Sequence, residues 1–276
     1  MNYITNVLFI LLLLSVSKQI NAGIGEQDTG EYPNVGVMII FDPALPEPNV
    51  STFCSGVLIS DIHFLTAAHC VDWISTVANP YIGVSFYNPA PPFKEAVILV
   101  TAYYMHPGYP SGQWVSPGSS PGPGFGLRND LGILVLTEGY TSDIVPASLP
   151  REGLLDDLAA KGGMVNKPIV NVGYGVEPTT IGPPGYEPPD GIRRVSTSRF
   201  LGLTRDYLRQ RQNVHAGDEG GSASGDSGSP KFLPGDETRT ILAITSWGDP
   251  ARRGFGVSVR VDTPDALSFI NEVLNQ

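Results

Sequence analysis

The sequence predicts an all-β protein whose short antiparallel strands close into a barrel or sandwich system. Three observations carry this. Short apolar runs recur at Val35–Phe41, Gly56–Ile59, Ala96–Tyr104, Leu131–Leu136, Ile169–Val172, Ile241–Ile244 and Phe255–Val261; several are β-branched or aromatic and few show helical spacing. Turn residues bound most of them, and 32 glycines and 25 prolines in 276 residues give a chain of many turns. Only one segment carries a full set of helix signals. Asp262-Thr263-Pro264-Asp265 supplies an N-cap, a proline at the first helical position and an acid in the first turn; Leu267, Ile270 and Leu274 then recur at helical spacing. Leu154–Ala160 and Thr204–Gln212 are shorter helix candidates with fewer signals. Coiled coil, helical bundle and collagen are excluded by the same composition.

From the amino terminus, Val7–Val16 is an apolar core too short to cross a bilayer and suited to a secretory signal, with Ile20-Asn21-Ala22 as the cleavage site. We therefore expect a signal over residues 1–22 and a secreted protein, extracellular or periplasmic; a buried helix or retained anchor is the alternative. The two cysteines, Cys54 and Cys70, agree with export, since an oxidising compartment allows a disulfide. Its closure would add roughly 3 kcal/mol through unfolded-state entropy; two separate buried thiols are the other reading. No Cys-x-x-Cys occurs, so neither a structural metal nor a cofactor is expected. Segments 107–126 and 178–191 are so rich in proline and glycine that they read as exposed loops. The formal charge of −10 speaks against nucleic acid as a partner, and no later segment approaches membrane-spanning length.

Three motifs carry chemistry. Leu65-Thr66-Ala67-Ala68-His69-Cys70 closes an apolar strand. Asn129-Asp130 sets a carboxylate at the head of Leu131–Leu136, a costly place for a charge unless it is hydrogen-bonded to something worth orienting. Gly225-Asp226-Ser227-Gly228-Ser229-Pro230 puts a serine in a glycine turn whose N–H groups can converge. A serine nucleophile needs a base, the base needs a partner that fixes its tautomer, and the intermediate needs an oxyanion hole. All four histidines (His63, His69, His106 and His215) precede Ser227, which excludes an α/β-hydrolase. Asp28-Thr29-Gly30 offers an Asp ahead of His69, but nothing around His69 or Ser227 resembles the other subtilisin motifs, and an aspartic protease would need two such turns. The order His69, Asp130, Ser227 is that of the chymotrypsin type.

With its flanks, this pattern resembles the trypsin-like (chymotrypsin-fold) serine peptidases over most of the chain after the signal. Cys54-Ser55-Gly56 and Thr66-Ala67-Ala68-His69-Cys70 are similar to the histidine-loop disulfide of that family. His106-Pro107-Gly108-Tyr109 resembles the strand end before the acid, Gly173-Tyr174-Gly175 the family's Gly-Trp-Gly, and Ser246-Trp247-Gly248 the segment that pairs with substrate backbone. The resemblance implies two six-stranded antiparallel β-barrels (residues 23–145 and 146–276) with a C-terminal helix and the site between them. It implies a secreted, monomeric serine endopeptidase acting on proteins or peptides. His69 would serve as general base and then acid, Asp130 would orient it, and Ser227 would attack. Gly225 and Ser227 would form the oxyanion hole.

Counting back along an ungapped stretch puts the base of the specificity pocket at Gly221 and Ser222 and its walls at Gly248 and Gly256. An open, uncharged pocket of this kind implies a large apolar or aromatic residue before the scissile bond. His106 reads as structural, Trp247 as packed or substrate-facing, and His63 and His215 as surface or core. The family usually pairs the carboxylate before its serine, here Asp226, with a newly cut amino terminus, but no Ile-Val-Gly-Gly occurs. Gly23 and Ile24 are the candidates, and neither follows Arg or Lys. Ala223 and Ser229 stand where a cysteine and a glycine are usual. The alternatives are therefore a catalytically silent binding protein on this fold, or a zymogen that needs trimming. Asn49-Val50-Ser51 is a glycosylation acceptor only in a host that glycosylates exported proteins.

Overall fold

The computed structural model describes residues 25–41, 50–76, 81–90, 96–111, 128–176, 190–213, 219–249 and 254–276. The expected signal, Gly23 and Ile24, Asn49, His215 and most of both Pro/Gly-rich segments lie outside them. After a two-residue strand, β1 (Glu26–Gln27), six strands follow: β2 (Val35–Phe41), β3 (Val50–Leu58), β4 (His63–Thr66), β5 (Tyr81–Ser85), β6 (Ile98–Met105) and β7 (Gly132–Leu136). They close as an antiparallel barrel in the order β2-β3-β4-β7-β6-β5. The run after Asp130 becomes β7 because its Ile133, Leu134 and Leu136 all leave water, together with Phe64 and Leu65 of β4. On β6 the two-residue period is plain: Leu99 and Tyr103 are exposed while their neighbours are half-buried.

The second barrel comprises β8 (Pro168–Gly173), β9 (Arg194–Leu203), β10 (Tyr207–Arg211), β11 (Pro230–Phe232), β12 (Ala243–Gly248) and β13 (Phe255–Arg260). Pairing of β8 with β9 closes this six-stranded ring, and β1 adds to the outer edge of β9, Glu26 facing Val195. The protein is therefore the expected pair of six-stranded antiparallel barrels, with its first described residues lying on the second barrel.

A 3-10 turn (Ala160–Gly162) and three α-helices, α1 (Ala68–Thr76), α2 (Leu154–Ala159) and α3 (Pro264–Leu274), complete the elements of the described residues. The last starts where its signals put it, with the Thr263 side chain accepting from Ala266 N–H, and it buries Ala266, Phe269, Ile270 and Val273. The helix expected over Thr204–Gln212 is overturned: Tyr207–Arg211 is strand β10, paired with β9 and β13. Its Leu208 and Gln210 face inward while Arg209 and Arg211 face water, which is a strand period rather than a helical one. Among the described residues no helix is long and apolar enough to cross a membrane.

A buried arginine joins the barrels. Arg193, 3 % exposed, donates from Nε to Asp28 Oδ2 at 2.7 Å and from one terminal nitrogen to the carbonyls of Val35 and Phe86, each at 3.0 Å. The same nitrogen donates to the Tyr174 hydroxyl at 3.1 Å. The Asp28 that offers itself in the sequence as a decoy for other peptidase types is thus a structural partner of the second barrel.

Candidate active site

His69 stands in the first turn of α1, directly after β4, and that turn is fixed covalently. Cys70 is bonded to Cys54 of β3, with the sulfurs 2.03 Å apart. The chain reaches Asp130 through Asn129, whose φ of 57° is a left-handed conformation that Asn tolerates. Asp130 is fully buried. Its Oδ1 accepts the His69 backbone N–H at 2.8 Å, its Oδ2 lies 2.8 Å from His69 Nδ1, and the Ser246 hydroxyl of β12 donates to Oδ2 at 2.5 Å. A carboxylate out of water needs such partners to stay charged. Gripping both the backbone and the ring of one histidine, it sets the ring's orientation and favours the tautomer with its proton on Nδ1, so that Nε2 is the basic nitrogen.

Ser227 is half-buried in the turn between Gly225 and Ser229. Gly228 has a φ of +83°, and a side chain there would collide with Thr66 and the Ser55 carbonyl. Only glycine permits this approach, which sets the serine turn against the strand end that leads into His69. Ser55 holds it from the first barrel: its N–H donates to the Ser227 carbonyl at 2.8 Å and its hydroxyl to the Gly225 carbonyl at 2.8 Å. Ser229 adds a bond that glycine could not make, between its hydroxyl and that of Thr245 at 2.7 Å.

Asp226 points away from Ser227. Its two oxygens accept the N–H groups of Gly175 at 2.8 Å and Ala223 at 2.7 Å. A Cβ at Gly173 or Gly175 would strike that carboxylate, which explains both glycines of Gly173-Tyr174-Gly175. Near it lies a residue the sequence did not single out. Lys231 is 0 % exposed, and its Nζ donates to the Ser222 hydroxyl at 2.8 Å. Burial pushes its ammonium down to about 7, against the opposing pull of Asp226.

The positions expected to form the specificity pocket do converge. Gly248 of β12 and Gly256 of β13 are register partners, and Gly221 and Ser222 lie alongside. The space among them is not open, which corrects the expectation of an open pocket. The Gln212 side chain enters it: a Cβ at Gly221 would collide with the carboxamide, and one at Gly256 would lie 3.0 Å from Oε1. Trp247 packs edge-on against Phe255, their ring centres 5.7 Å apart. His106 is structural, accepting the Gly108 N–H at 3.0 Å and packing on Phe269 of α3. His63 bonds the Ser60 hydroxyl in its own turn at 2.7 Å.

Sequence reasoning missed the tie from Ser246 to Asp130, Gln212 and Lys231. A buried lysine beside a serine motif is the one signal that could have been noticed, since Lys231 interrupts an otherwise apolar stretch after Pro230.

The comparisons with known proteins agree with this fold. The chain is 27 % identical over 234 residues to glucanase inhibitor protein 3 of Phytophthora infestans, an alignment covering 83 % of this chain and 80 % of that protein. The family model described as Trypsin matches residues 26–270, taking in both barrels, His69, Asp130 and Ser227. The chain belongs to the trypsin family.

Proposed function

We propose that this protein is an exported serine endopeptidase that cleaves protein or peptide chains as a monomer. The observation that carries the reading is the triple hold on Asp130, from the His69 N–H, the His69 ring and the Ser246 hydroxyl, in a fully buried site. Fold stability does not require a buried carboxylate aimed at a histidine ring; general-base chemistry does. In the proposed reaction His69 takes the Ser227 hydroxyl proton through Nε2 as the oxygen attacks the scissile carbonyl. The N–H groups of Gly225 and Ser227 receive the oxyanion. His69 then protonates the leaving amine, and water, activated by the same ring, hydrolyses the acyl-enzyme.

The test is labelling of the purified protein with a fluorophosphonate, with S227A alongside and the label located by peptide mapping. Label on Ser227 that is absent from S227A is the expected result. The variant should lose at least about 10⁴-fold in peptide hydrolysis. A folded protein that takes no label, either as purified or after trimming to Ile24, refutes the peptidase.

A second reading has its own support: a trypsin-family binding protein without catalysis. The relative from Phytophthora infestans carries an inhibitor's name, and a pocket already filled by Gln212 suits a surface that binds without cutting. A folded protein left unlabelled both before and after that trimming would select this reading.

A further inference from the structure

We propose that Gln212 is the specificity-determining residue of this site: its carboxamide occupies the side-chain pocket, so that only a short, uncharged side chain fits before the bond to be cut. The inference rests on the peptidase reading. Three glycines line the space, Gly221, Gly248 and Gly256, and without an occupant such a slot would take a long flat side chain. Gln212 closes it from within. The residue is 3 % exposed, its Oε1 accepts the Ser222 N–H at 2.5 Å, and its Nε2 would lie 3.5 Å from a Cβ at Gly248.

Both ends of the glutamine are held. Its own N–H donates to the Gly254 carbonyl at 3.1 Å, one residue before β13 begins. At the other end Ser222 is itself braced, because Lys231 Nζ donates to its hydroxyl at 2.8 Å. A substrate side chain long enough to reach Ser222 must expel the carboxamide and strip the Ser222 N–H of its acceptor. Leaving a buried donor unpaired is the kind of loss by which polar sites discriminate. An alanine-sized side chain stops short of the carboxamide and pays no such penalty. The intramolecular occupant thus rejects aromatic and acidic side chains alike, although nothing in the glycine lining would exclude the aromatic ones.

Three measurements decide it. Peptide anilides of one sequence, ending in Ala, Phe or Glu, are turned over by the wild type, Q212G and Q212S. The wild type is expected to favour Ala by about tenfold or more in kcat/KM, with Q212G shifting toward Phe by a similar factor. Wild-type cleavage after Phe or Glu as fast as after Ala overturns the proposal without any variant. Indole binding, followed by ligand-observed NMR, reads the pocket without turnover: binding to Q212G or Q212S but not to the wild type is expected, and equal binding overturns it. Diisopropyl fluorophosphate, which does not need the pocket, should label all three proteins. No label on any of them, trimmed to Ile24 or not, refutes the peptidase and the cleavage preference with it, while the indole result still reads whether Gln212 closes the pocket.

Discussion

Lys231 is the residue whose burial has the plainest consequence for stability. Below about pH 7 its ammonium is charged in both the folded and the unfolded chain, and the folded state carries the cost of keeping it from water. Between that pH and the ordinary lysine value the folded protein has released the proton while the unfolded chain still holds it. Folding therefore gains as pH rises, by at most about 1.4 kcal/mol per pH unit. Urea unfolding of the wild type and K231M from pH 6 to 10 should show the wild type gaining on the variant with rising pH. Parallel curves would mean that Lys231 is not titrating in this range. His63 and His106 are taken up in local bonds and packing.

At the scale of the element, Asp130 shows why single motifs understate a site. It heads β7, its histidine sits on α1, and its third donor, Ser246, comes from β12 of the other barrel, 116 residues away in sequence. S246A should lower kcat by about tenfold with KM little changed, because a lost donor to a charged group costs about 1.5–3 kcal/mol and only part of that is felt in the transition state. An unchanged kcat would show that the two His69 contacts suffice. Strands such as β2 were legible because their whole length is apolar, and α3 because its cap and proline are local signals. β10 was not legible. Its inward Gln210 is polar, satisfied by Asn171 at 2.8 Å and Ser198 at 2.6 Å, so alternation of apolar and polar residues never appears in the sequence. The pocket fared alike: Gly221, Gly248 and Gly256 could be located by counting, but nothing local reports that Gln212 turns inward among them.

For the molecule as a whole, the joint between barrels rests on Arg193 and Asp28. Asn88 reinforces it, donating to the Asp28 carbonyl at 2.7 Å and accepting the Arg193 N–H at 2.8 Å. R193M would leave the Asp28 carboxylate, which is only 5 % exposed, without its counter-ion and with only the Glu31 and Tyr32 N–H groups as donors, and should destabilise the fold by roughly 3–5 kcal/mol. Guanidinium unfolding checks this, and a loss below about 1 kcal/mol would assign the joint to apolar packing instead. The family and two-barrel architecture could be read from His69, Asp130, Ser227 and their flanks. The joint could not, because Asp28 and Arg193 lie 165 residues apart and carry no motif in common.

The dipeptide Cys54-Ser55 reaches both halves of the site at once: one residue is welded to the neighbour of His69, and the other grips the carbonyls of Gly225 and Ser227. Were the chain to fold where thiols stay reduced, the histidine's helix would lose its tether at the very strand that holds the serine turn. The relative placement of His69 and Ser227 is thus written into an oxidised bond, and the compartment in which the protein folds becomes part of the geometry of the site.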